Sequence, residues 1–146
     1  MKCYYQWYRD GWRETVELFD SKKPTVQLLG RFQPWHEGHT ELFKRALEVT
    51  GQVCIMVRDV HDTDAGMGND DNPFTFNQIR KNIIYTLYDE NIAHNKHYII
   101  MKVPNIIDIS YGRGVGYTFT EHDLGEKIHS ISATEIRAQM REEGTL

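Results

Sequence analysis

The amino-acid sequence predicts an α/β fold: a mostly parallel sheet covered by helices on both faces, preceded by a short β-hairpin. Three observations point to it. From Pro24 onward, apolar runs of strand length alternate with segments of helical period, and such alternation implies crossover connections between parallel strands. Two helical segments open with a capping signature, Thr75 with Gln78 and Ser132 with Glu135. Loops rich in glycine, histidine and arginine follow strand ends, where open parallel sheets bind their ligands.

The elements follow in order. Cys3 to Phe19 reads as a hairpin, because Asp10-Gly11 is a two-residue turn signal between alternating runs. Pairing across that turn puts Cys3, Tyr5, Trp7, Trp12, Val16 and Leu18 on an apolar face. Tyr4, Gln6, Tyr8, Arg13, Thr15 and Glu17 fall on a mostly polar one. A helix over 12–20 is the competing reading. The chain divides at Lys22-Lys23-Pro24, giving an N-terminal extension over 1–23 and one domain over 24–146. Thr25 to Leu29 is a strand that stops at Gly30, and 38–49 is a helix with Leu42, Phe43, Ala46 and Leu47 as its apolar stripe. Gln52 to Val57 is the next strand. The loop over 58–72 holds five aspartates, Asp59, Asp62, Asp64, Asp70 and Asp71, and reads as solvated, with approach to a divalent cation as the alternative. Phe74 and Ile79 staple the start of a helix whose Phe76, Ile79, Ile83 and Leu87 recur at helical spacing. His97 to Val103 is a strand closed by Pro104, Ile106 to Ser110 reads as a fourth, and 117–120 as extended. Ile131 and Ile136 staple the last helix, and Gly144 suits its stop.

Composition bounds the function. The 146 residues suit one domain with a core that needs no disulfide staple. With 40% apolar and 26% charged residues, wholesale disorder, collagen and coiled coil are excluded. No apolar run approaches the roughly 18 residues of a membrane helix, and no secretory signal is read near the start. A net charge of −4 argues against a broad nucleic-acid surface. Cys3 and Cys54 make neither a disulfide framework nor a metal-ligand set, so the expected compartment is the reducing cytoplasm.

The chemistry concentrates in two stretches. Gly30-Arg31-Phe32-Gln33-Pro34-Trp35-His36-Glu37-Gly38-His39 joins a strand to a helix. Such a turn aims backbone N–H groups and the positive helix end at one spot, which favours phosphate. His36 and His39 lie three apart around Gly38, which admits close approach of backbone or ligand. Their imidazoles are suited to donate to phosphate oxygens, and Arg31 adds a planar fork. A surface cap is the plainer alternative, and zinc lacks a third ligand at suitable spacing. The second stretch, Ile131-Ser132-Ala133-Thr134-Glu135-Ile136-Arg137, opens the last helix. Ser132, Thr134 and the first N–H groups suit another phosphate, with a well-capped helix and a solvated arginine as the alternative.

Together with Asn72-Pro73-Phe74-Thr75, these stretches make the chain resemble the HIGH-motif nucleotidylyltransferase superfamily, and within it the archaeal-type nicotinamide mononucleotide (NMN) adenylyltransferases. The likeness runs from about Thr25 to Arg137. It implies a Rossmann-like three-layer sandwich and transfer of a nucleoside monophosphate, AMP from ATP, onto a small phosphorylated acceptor, with release of pyrophosphate. It implies that His36, His39 and Arg137 are catalytic, and that Gly30, Arg31, Phe32, Gln33 and Gly38, with Ser132 and Thr134, bind nucleotide or phosphate. Mg²⁺ would bridge the phosphates, and a homo-oligomer is compatible with the family. Trp35 stands where phenylalanine is common, and Ala133 replaces glycine or serine. Acceptor or base candidates are Trp35, Arg58, Asn72 and the turn residues Tyr111, Gly112, Arg113 and Tyr117. Two other functions fit the same residues: a CTP-dependent cytidylyltransferase activating a phospho-sugar or phospho-alcohol, and a non-catalytic nucleotide-sensing module.

Overall fold

The computed structural model describes residues 3–8, 11–16, 18–63, 69–114 and 116–146, with the backbone alone for 3–8, 11–16 and 69. In chain order it contains β1 (Cys3–Tyr8), β2 (Gly11–Val16), β3 (Val26–Gly30), α1 (Glu37–Thr50), β4 (Val53–Arg58), a 3-10 turn (Asn69–Asp71), α2 (Phe76–Asp89), β5 (Tyr98–Val103), α3 (Glu126–His129) and α4 (Ala133–Glu142). Strands β1 and β2 pair antiparallel, with Trp7 opposite Trp12 and Tyr8 opposite Gly11. Gly11 is therefore a ladder residue and not half of the turn. Asp10 and Glu17, and the sidedness expected of the hairpin, lie outside the described residues.

The second sheet is parallel, in the order β3-β4-β5. Gly30 stands opposite Val57, and Arg58 opposite Val103, so the three carboxyl ends are level. The β-branched alternation of β4 buries Val53, Ile55 and Val57. These join Phe43 and Ala46 of α1 and Ile79, Ile83 and Leu87 of α2 in one apolar cluster. Gly51, in the left-handed region at φ +88°, ends α1 by donating to the Leu47 carbonyl at 2.8 Å. The box at α2 closes in both directions: Thr75 Oγ1 accepts from the Gln78 N–H, and the Thr75 N–H donates to Gln78 Oε1. Ser132 forms the forward half, accepting from the Glu135 N–H. Buried Gln52 ties the chain ahead of β3 to the sheet, donating to the Asp20 carbonyl at 2.7 Å and to Thr25 Oγ1 at 2.6 Å.

The architecture is α/β with a parallel three-stranded sheet. Its core lies on one face. On the other, Cys54, Met56 and Arg58 are half-buried and Met101 is exposed. One expectation fails beyond β5. Residues 106–110 form no strand, and Ile107 is 84% exposed. The isoleucine run there has strand propensity without a ladder partner, and propensity alone does not make a strand. Residues 117–120 likewise join no sheet, whereas the short helix α3 was not expected. Among the described residues no helix is long and apolar enough to cross a membrane.

Core packing and capping should separate in size. Ile83→Ala is expected to cost about 2–5 kcal/mol, the range for truncating a buried aliphatic side chain. Thr75→Ala should cost about 1 kcal/mol, the worth of a cap. Urea unfolding measures both, as midpoint shifts in that order at constant slope.

Candidate functional site

The loop after β3 places two histidines on the first turn of α1. His36 is the N-cap, with extended backbone, and its Nδ1 accepts from the Gly38 N–H at 3.0 Å. His39 Nδ1 accepts from the His36 N–H at 3.1 Å. This is a capping box made of two imidazoles. A ring nitrogen that accepts an N–H carries no proton, so the hydrogen-bond network assigns the proton of each neutral ring to Nε2. The rings stack at 3.9 Å between centroids. Burial first, and then the neighbouring His36, push His39 down to about 3; burial also lowers His36. The pair thus presents two neutral Nε2–H donors. Gly38 is needed for this: a Cβ there would lie 2.8 Å from His36 Cε1. The room expected for backbone or ligand is filled by the His36 ring.

The apolar part of the loop supports the pair. A Cβ on Gly30 would meet the Phe32 ring at 2.9 Å, so this glycine makes room for an aromatic side chain. Phe32 adopts φ +52° and sits edge-on to His39 at 5.0 Å. Trp35 is buried, donates from Nε1 to Thr40 Oγ1 at 2.9 Å, and lies 5.3 Å from the His39 ring. Trp35 was expected among the acceptor or base candidates; its indole is core, and its polar edge is satisfied inside it.

Gln33 has a structural task as well. Its amide donates to the Phe74 carbonyl at 2.9 Å, and its Oε1 accepts from the Phe74 N–H at 2.8 Å. Arg31 donates from Nη1 to Asn72 Oδ1 at 2.9 Å and, more weakly, to the Asp71 carbonyl at 3.4 Å. Asn72 is wholly buried and donates to the Thr63 carbonyl at 3.0 Å. It links segments and does not face a ligand.

Helix α4 closes the group. Arg137 is buried, although the sequence suggested a solvated or phosphate-facing side chain. It donates from Nη1 to the Gln33 carbonyl at 2.7 Å, and from Nη2 to Asp71 Oδ1 at 2.9 Å and Thr134 Oγ1 at 3.3 Å. Ser132 caps the helix. Burial and the charges of Arg137 and Arg58 lower the Arg31 pKa, and Asp71 opposes them. Three guanidinium groups therefore share one region. Arg58 itself donates to Asn105 Oδ1 at 2.6 Å.

The structure joins Arg31, Gln33, Thr134 and Arg137 in one set of hydrogen bonds that meet at Asp71 and the Gln33 carbonyl, and it joins His36 to His39; the two groups share the loop after β3. It does not bring Tyr111, Gly112, Arg113 and Tyr117 into that set. They are exposed, and among the described residues no hydrogen bond, ion pair or ring contact ties them to the histidine loop; Tyr111 meets Phe119 at 5.6 Å. Asp59, Asp62 and Asp70 are exposed, Asp64 lies outside the described residues, and Asp71 is the exception in pairing with Arg137. Sequence reasoning missed Asp71 and the Gln33–Phe74 clamp. No local signal marks a carboxylate 66 residues from its arginine. Among the described residues no three His, Cys, Asp or Glu side chains gather as a metal-ligand group. Comparison with protein-family models, with curated proteins and with solved structures gives no match.

The neutral pair has a measurable consequence. His39 is held near 3 in the folded chain against an ordinary 6.5, so on acidification the unfolded chain takes up this proton first. Its contribution to stability is intact above pH 6.5 and falls as pH drops toward 3, by up to about 1.4 kcal/mol per pH unit. Urea unfolding of wild type and His39→Gln from pH 7.5 to 4.5 should show the wild type losing stability relative to the variant. A pH-independent difference would refute the neutral assignment.

Proposed function

We propose that the protein is a nucleotidylyltransferase that moves AMP from ATP onto a phosphorylated acceptor such as NMN and releases pyrophosphate. The observation that carries this is the double-histidine cap: two neutral Nε2–H donors at a helix N-terminus, on the loop that also carries Arg31 of the arginine cluster. An acceptor phosphate oxygen attacks the α-phosphorus, the bond from that phosphorus to the bridging oxygen breaks, and pyrophosphate leaves. Charge builds on the α-phosphoryl oxygens, and His36 and His39 donate to it. Preorganised donors of this kind are the main catalytic resource where the protein forms no covalent intermediate. Arg31, with Ser132, Thr134 and Arg137 at the start of α4, serves the leaving phosphates. Mg²⁺ enters as part of the substrate, bridging phosphate oxygens and water.

The acceptor phosphate is assigned to the surface over a shallow depression of about 10 Å³, room for one water and not for the phosphate itself, at the carboxyl ends of β4 and β5, lined in part by Arg58, His61, Lys102, Phe74 and Phe76. Two cationic side chains and a histidine on an aromatic floor suit a phosphate carried by a planar ring. The finer fold, a Rossmann-like three-layer sandwich, and a cytoplasmic setting belong to the same proposal.

The test is pyrophosphate release with Mg²⁺, crossing ATP and CTP against NMN and a panel of phosphorylated acceptors. ATP with NMN should release pyrophosphate and form the dinucleotide. His36→Ala should lower turnover by roughly 10²–10³, the scale of losing one transition-state donor. Release with CTP alone would replace the nucleotide, and a near-normal His36→Ala rate would remove the histidine from the mechanism.

A further inference from the structure

Three arginines, one from the loop after β3 and two from successive turns of α4, converge on three consecutive residues. Arg31 holds Asn72 Oδ1 and the Asp71 carbonyl, Arg137 holds the Asp71 carboxylate, and Arg141 donates to the Asp70 carbonyl. Of these acceptors, only the Asp71 carboxylate bears a negative charge. It lies on the solvent side of its partner: the Asp71 side chain is 29% exposed and that of Arg137 is 2% exposed. The Arg137 cation is also incompletely satisfied, since its buried Nε has no hydrogen-bond partner.

We propose that Asp71 is a built-in competitor for the phosphate-binding cation Arg137, so that an anionic ligand binds by displacing it. The inference rests on the phosphate-binding role proposed above for this cluster. A buried guanidinium left without a counter-charge is strongly unfavourable. Arg137 must therefore be matched in both states, by Asp71 in the free protein and by phosphate in the complex. The two bonds differ in what they release. Nη1 on the Gln33 carbonyl fixes the histidine loop, whereas Nη2, shared between Asp71 and the more distant Thr134 Oγ1, reaches a carboxylate on the solvent side and can change partner there. A monoanion gains nothing in charge by the exchange. A pyrophosphate group brings several charges and oxygens enough for Arg31 as well. Asp71 thereby sets a threshold that polyphosphates pass, and its return to Arg137 assists release of pyrophosphate.

The experiment is calorimetric titration of the full chain with inorganic pyrophosphate, for wild type, Asp71→Asn and Asp70→Asn. Asp71→Asn should bind at least about tenfold more tightly, the range of truncating one partner of a close charge pair. Asp70→Asn, which removes an exposed charge and leaves the backbone contact to Arg141, should stay within about twofold of wild type. Wild-type binding with no gain in Asp71→Asn, or an equal gain in both variants, overturns the competitor and leaves the phosphate site standing. Binding by none of the three overturns both. Should Asp71→Asn fail to fold, the wild type decides: on adding pyrophosphate the carboxyl carbon resonance of Asp71 should move while those of Asp59 and Asp62 stay, and an unmoved Asp71 signal refutes the exchange.

Discussion

Gln33 holds the site together. Its carboxamide closes two hydrogen bonds with the backbone of Phe74, and its own carbonyl receives Arg137. The loop after β3, the segment before α2 and helix α4 thus meet at one buried residue, the second through its side chain and the third through its main-chain carbonyl. A buried amide has to find partners for its donors and acceptor, and the groups facing it have the same need. Loss of the carboxamide would strand the Phe74 N–H and carbonyl together. The positions of the neighbours then follow. His36 lies three residues after Gln33, Arg31 two before it, and Asp71 and Asn72 just before Phe74. None of these functional groups is placed independently of the others.

The electrostatics of the site divide into two parts that do different work. Arg31, Arg58 and Arg137 supply fixed positive charge; burial first, and then repulsion from Arg137 and Arg58, lower the Arg31 pKa. The histidines add donors without adding charge. Each Nδ1 is committed to a backbone N–H, each ring is desolvated, and the helix N-terminus disfavours a cation beside it. With Nδ1 occupied and Nε2 protonated, neither ring is available as a general base. What remains is hydrogen-bond donation from a fixed geometry. That resource suits a reaction whose barrier lies in alignment and developing charge on phosphoryl oxygens.

Much of this was legible locally. The capping residues of α1, α2 and α4, the strand–helix alternation and the pairing of His36 with His39 all depend on side chains within a few residues of each other. Other features were not. Gly38 looked like an opening for a ligand, and it turns out, like Gly30, to admit an aromatic ring of the chain itself. Trp35 looked like a site residue because of its neighbours in sequence, while its burial is decided by Phe32, His39 and Phe43. The isoleucines at 106, 107 and 109 mimic a strand, but a strand also requires a partner, which composition does not reveal. Asp71 reads as one of five loop aspartates. Only the approach of α4 distinguishes it.

Helix α4 depends on polar contacts to an unusual degree. Arg137 is its one buried residue, and Ile136 and Met140 are only half-buried. Its link to the rest of the domain runs through Arg137 to Gln33 and Asp71, and through Arg141 to Asp70. An apolar helix seat is indifferent to what occupies a nearby site. A seat made of guanidinium contacts is not, because those groups answer to any anion that arrives. Exchange of Asp71 for phosphate would free the Asp71 carboxylate while Arg137 kept the Gln33 carbonyl and Arg31 and Arg141 kept the main chain of the 3-10 turn. The helix, the histidine loop and the turn would stay joined through the exchange, and the Asp71 side chain is the part left to move.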